Sequence, residues 1–78
     1  MASLEIFELD DELEPNKNAK AKLLTWDGHN YVTRGAKSVI VYSFAGAHGV
    51  PGDRGYCFLG ASNRWEVIGS PVQRSSFG

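Results

Sequence analysis

The sequence predicts an all-β domain, a small barrel or sandwich of five to six short antiparallel strands with an extended N-terminal arm. Three observations predict it. Apolar and polar residues alternate with period two in several short stretches, glycines and turn-forming pairs separate those stretches, and no ten-residue run carries a helical stripe. At 78 residues the chain is one domain. A core of that size buries roughly 60% of the unfolded surface and supplies only ~3–5 kcal/mol. With one cysteine and no metal-ligand cluster, the usual staples are missing, and oligomerisation is the remaining route to added stability.

The elements follow in order. Leu4–Leu9 reads as a short strand, and Asp10–Glu14 fits one helical turn ended by Pro15 and Asn16. Residues 19–26 begin with strict alternation: Lys20 and Lys22 on one face, Ala19, Ala21 and Leu23 on the other. Asp27-Gly28 then reads as a tight hairpin turn, whose central residues both need positive φ, with Tyr31–Arg34 as the return strand. Residues 38–44 are β-branched and aromatic, with Ile40, Tyr42 and Phe44 on one face and apolar residues on both, which suggests a central strand or an interface. A Gly/Pro-rich connection follows from Ala45 to Arg54. The last hairpin pairs residues 55–60 with 64–69, aligning Tyr56 with Phe58 and Trp65 with Val67. The end reads as an extended tail. The expected organisation is therefore an acidic arm (residues 1–15), a β domain (16–70) and the tail (71–78).

Charge is distributed unevenly. Six of the nine acidic residues lie in the first fourteen positions, which hold no lysine or arginine. Beyond Pro15, eight basic residues face only Asp27, Asp53 and Glu66, about +5 in all. The alternating apolar residues of the arm make it more than a solvated acidic tail. Leu4, Ile6, Phe7 and Leu9 suit addition of a strand to a sheet edge. Glu5 and Glu8 would then meet bases such as Lys20 or Lys22 on another copy, and Asp10, Asp11 and Glu12 complete the partner-binding arm. The arm can equally fold back on its own body.

Chemistry-bearing patterns are sparse. Glycine recurs at every third position from Gly46 to Gly55, but three triplets hold no collagen helix and no Gly-Lys-Ser/Thr opens a phosphate loop. An exposed connection needing positive φ accounts for it. Arg54-Gly-Tyr56-Cys-Phe58-Leu resembles the RNA-recognition signature, in which aromatics stack bases and a basic residue meets phosphate. The crossover helix of that fold has no counterpart here, so a single-strand nucleic-acid module would be OB-like, using Arg54, Tyr56, Phe58 and Trp65. His29 and His48 share no ligand spacing with Cys57, no serine stands in a nucleophile elbow, and the acidic run lacks the spacing of a calcium loop. No catalytic residue, metal or cofactor is expected. Cys57, between Tyr56 and Phe58, reads as a buried apolar residue. No run approaches the ~20 apolar residues of a membrane span, and no secretory leader pattern opens the chain, so synthesis in a cytoplasm is expected.

Val39–Phe44, the glycine loop, Gly52-Asp-Arg-Gly-Tyr56 and Asn63-Arg-Trp-Glu-Val-Ile68 together resemble small β proteins of tailed bacteriophages and phage-like loci, over residues 19–69. The resemblance implies a non-enzymatic virion protein, a capsid decoration (cement) protein or a tail or baseplate accessory. Its implied partners are copies of itself, as a trimer, and the major capsid or another virion protein. It implies no membrane and no catalytic residues. The competing expectations are the OB-like module and a tail or baseplate adhesin.

Overall fold

The computed structural model describes residues 4–35, 37–43, 46–60 and 63–77. Six strands form one sheet: β1 (Leu4–Leu9), β2 (Asn18–Trp26), β3 (Tyr31–Thr33), β4 (Val39–Tyr42), β5 (Arg54–Leu59) and β6 (Trp65–Val72). A single 3₁₀ turn, Arg74–Ser76, follows. β1 pairs with β2 on one edge and with β5 on the other, so that β1-β2-β4-β6-β5 closes into a five-stranded barrel. β3 extends the β4 edge of β2: Ala21 faces Val39 of β4, and Leu24 faces Thr33 of β3. All pairings are antiparallel except β4 with β6. Numbered along the barrel strands alone, the order is 1-2-3-5-4 with the third and fifth parallel, the connectivity of an OB barrel. Among the described residues, no helix lies between β4 and β5.

Period-two patterning puts one residue in two inside. Phe7 and Leu9 from β1, Ala19 and Ala21 from β2, Val41 from β4, Cys57 from β5 and Val67 from β6 fill the barrel. Gly55 on β5 leaves room for the Phe7 ring, since a Cβ there would stand 3.2 Å from Phe7 Cε1 and Cζ. Loops seal one end with Leu13 and Ala47, and Leu13 exchanges backbone hydrogen bonds with Gly49 at 2.9 and 3.1 Å. The glycine loop is thus a plug more than an exposed connection. Gly52 supplies a positive φ of 94°. Gly49 is there for space: a Cβ on it would stand 2.8 Å from Leu9 Cδ1 and 3.1 Å from Pro71 Cγ.

The acidic opening segment docks on its own chain. Phe7 and Leu9 are in the core, and both edges of β1 are occupied, which leaves no edge for a neighbour's sheet. Five of its six carboxylates meet bases of the same chain: Glu5 with Arg34, Glu8 with Arg54, Asp10 with Lys22, Glu12 with His48 and Glu14 with Lys17. Residues 4–9 therefore belong to the β domain and not to a separate arm.

Three local expectations change. Residues 10–14 form a bend and the Leu13 bridge, because the hydrogen bonds of Asp10 and Asp11 N–H go to the Lys20 carbonyl and not along a helix. The β2–β3 connection is a four-residue loop in which only Gly28 has positive φ (106°). Asp27 works through its side chain, Oδ1 accepting from the N–H groups of His29 (2.8 Å) and Asn30 (2.7 Å). The tail, expected to be extended from Ser70, continues β6 to Val72 and then turns. Phe44, expected on the outer face of β4, lies outside the described residues.

Candidate ligand-binding face

Cross-strand register builds the outer face of the barrel. Ile6 lies between Leu24 and Tyr56, Tyr56 faces Ile68, and Arg54 lies between Glu8 and Val72. At the far end of β2, Trp26 faces Tyr31. The 3₁₀ turn then returns Phe77 onto this surface. Trp26, Tyr31, Phe77 and Tyr56 form a chain of rings with centroids 5.0, 5.6 and 5.4 Å apart in edge and tilted contacts. Much of this apolar surface is open to solvent: Trp26 is 55% exposed, Tyr56 45% and Ile68 48%.

Arg54 is the centre of the face. It is buried, with Nε donating to Glu8 Oε1 at 2.8 Å and Cζ 5.8 Å from the Tyr31 centroid. Two concavities meet at it. One, of about 280 Å³, is lined by Trp26, His29, Asn30, Tyr31, Arg54 and Arg74. The other, of about 310 Å³, lies on β5 and β6 beneath the tail, where Tyr56, Ile68, Val72 and Phe77 give an apolar lining. The hairpin beside the first is held by the Asp27 turn, whose hydrogen bonds from the Asn30 and His29 N–H groups hold the carboxyl below its ordinary 3.8.

The residues expected to carry function divide between the two sides of the barrel wall. Arg54, Tyr56 and Phe58 share the outer face, but Trp65 points the other way and packs against the interior cluster. A base could not stack on Trp65 and Tyr56 together. Of the arm residues, Leu4 is exposed and Ile6 half-buried on the outer face, Phe7 and Leu9 are interior, Asp10 is paired, Glu12 meets His48, and Asp11 is exposed. Lys22 Nζ is taken by Asp10 of the same chain at 3.0 Å, whereas Lys20 is exposed with no acidic partner among the described residues. Trp26, Tyr31, Arg74 and Phe77 were not singled out from sequence. The one signal they carried was an aromatic on each side of the Asp27 loop and one near the chain end.

Among the described residues, no three His, Cys, Asp or Glu side chains gather as metal ligands. Burial raises the Cys57 thiol to about 12, so it stays protonated inside the barrel. Among the described residues, no helix is long and apolar enough to cross a membrane. No protein-family model matches the chain, and neither a curated protein nor a solved structure matches it.

Proposed function

We propose that the chain is a non-enzymatic structural protein of a phage particle that attaches to a neighbouring shell or tail subunit through the outer face of β5 and β6. The observation that carries this reading is the exposed, charge-poor patch of Tyr56, Ile68 and Val72 beside the half-buried Phe77. Aromatic residues and arginine in an otherwise uncharged patch are the composition of protein-interface centres. Phe77 already rests on Tyr56, so the seat accepts an apolar side chain from a connecting segment. The sequence resemblance over residues 19–69 supports the particle setting. Clamping by the N-terminal segment is not part of the proposal, because that segment closes the barrel.

The test is sedimentation of virions made from the genome that encodes the chain, with wild type against Ile68→Ser. Wild type is expected in the particle fraction at fixed stoichiometry. The variant is expected to fold and to lose at least tenfold in occupancy, as truncation of an interface anchor does. Purified virions without the protein, or unchanged occupancy of the variant, would overturn the proposal.

A second reading, the OB-like single-strand binder, is favoured by the barrel connectivity alone, and connectivity does not settle function. A groove that tracks a nucleic-acid backbone needs a run of free cations. Here five of the eight lysines and arginines are committed to carboxylates of the same chain.

A further inference from the structure

We infer that the concavity between the β2–β3 loop and the C-terminal turn is a site for a single nucleotide unit, with its base on Trp26 and its phosphate on Arg74. This goes beyond the attachment role and uses a different concavity. Trp26 is held edge-on by Tyr31, 5.0 Å away at 64°, and is more than half exposed. That is a rigid apolar platform offered to a planar ring. His29 and Asn30 line the same concavity, and the Asp27 turn fixes their backbone. Their side chains carry the donors and acceptors that a base edge requires.

The lining also supplies charge. Arg54 and Arg74 both belong to it. Glu8 neutralises Arg54, and Arg74 has no acidic partner among the described residues. The lining therefore carries a net charge of about +1, matched to one phosphate and not to a row of them. At about 280 Å³ the space lies just below the ~300–1,000 Å³ of small-molecule pockets, enough for one unit and not a strand. A duplex is excluded as ligand, because its bases keep their faces stacked. An acidic peptide would satisfy Arg74 but leave the indole platform without a planar partner.

The experiment is an amide and indole NMR titration of the full chain with hexathymidylate, with thymidine monophosphate as a second arm and hexaglutamate as a third. Either nucleotide should shift Trp26, His29, Asn30, Tyr31 and Arg74. Hexamer alone would identify a strand end or loop as the source, and the monophosphate with equal effect would identify the free unit. For the hexamer, the affinity should fall with salt with a log–log slope of about −0.7, that of a single phosphate on a single strand. Trp26→Ala should weaken binding about tenfold or more, with Trp26→Phe restoring most of it. Arg74→Gln should flatten the salt slope. No shift at millimolar nucleotide, shifts centred elsewhere on the barrel, a slope of several phosphates, or equal shifts with hexaglutamate would each overturn the inference. Trp26→Ala should leave particle occupancy unchanged and Ile68→Ser should leave nucleotide shifts unchanged, so each proposal can fail without the other.

Discussion

Asp10 shows how one side chain ties the opening segment to the body. Its carboxylate accepts the Ser38 hydroxyl at 2.7 Å and the Lys22 ammonium at 3.0 and 3.1 Å. The Ser38 hydrogen bond is the largest influence and lowers the Asp10 pKa. Partial burial opposes it, and Lys22 lowers it further. A carboxyl whose folded pKa lies below its unfolded value binds protons more readily when unfolded, so its contribution is present above about 3.8 and is lost as pH falls through the folded value. Asp10→Asn has no such titration. Wild type should therefore exceed Asp10→Asn in stability at pH 6, and the gap should narrow steadily below about pH 4, as read by urea unfolding. A gap independent of pH would show that the carboxylate charge contributes nothing. Residue types in this region were legible from sequence; the partners were not, because Ser38 and Lys22 are brought to Asp10 by sheet register.

At the scale of the element, strands announce themselves by alternation and the loops do not announce their jobs. Five of the six strands match the sequence reading closely, since period-two burial leaves a direct mark on residue type. β2 matches through Leu23, which packs against the interior cluster; beyond the expected alternation, Leu24, on the outer face with Ile6, is buried as well. The Asp27 loop misled because Asp-Gly fits two turn geometries, and the one adopted uses the Asp27 side chain. The glycine loop misled because glycine serves both freedom and space. Gly49 is the clear case, with its absent Cβ replaced by Leu9 and Pro71. Gly49→Ala is expected to cost about 1–3 kcal/mol through overpacking, whereas Gly35→Ala, with nothing within 4 Å of its Cβ, should stay within about 0.5 kcal/mol of wild type. Denaturant midpoints for the pair decide it: equal losses would mean that the loop does not plug the barrel. The candidate face is the least legible feature. Trp26 and Tyr31 meet across the β2–β3 hairpin, but Tyr56 lies on β5, and only the returning tail, through Phe77, links its ring to theirs.

At the scale of the whole molecule, charge asymmetry and closure are the same fact. An acidic first strand lies in a body that is otherwise basic, and its carboxylates distribute over bases on the β3–β4 connection, β5, β2 and the loops. Apart from Glu8–Arg54, whose guanidinium is buried, these pairs are partly exposed, and such pairs contribute only ~0.2–1 kcal/mol each. Truncating a buried phenylalanine costs ~3–5 kcal/mol, and a domain of this kind has only ~5–15 kcal/mol in total. Phe7 and Leu9 therefore hold β1 in place, and the charges select its register. A chain beginning at Asp10 would lose both residues and leave β2 and β5 with unpaired edges along their β1 side. It should be unfolded in isolation, with collapsed amide dispersion. A synthetic peptide of residues 1–9 should restore the dispersion in a one-to-one complex. The peptide with Phe7→Ala should fail to do so, while 0.5 M salt should weaken the wild-type complex only a few-fold. A truncated body that keeps native dispersion would show that β1 is dispensable to the barrel, and would return the opening segment to the role of an arm free to reach a neighbour.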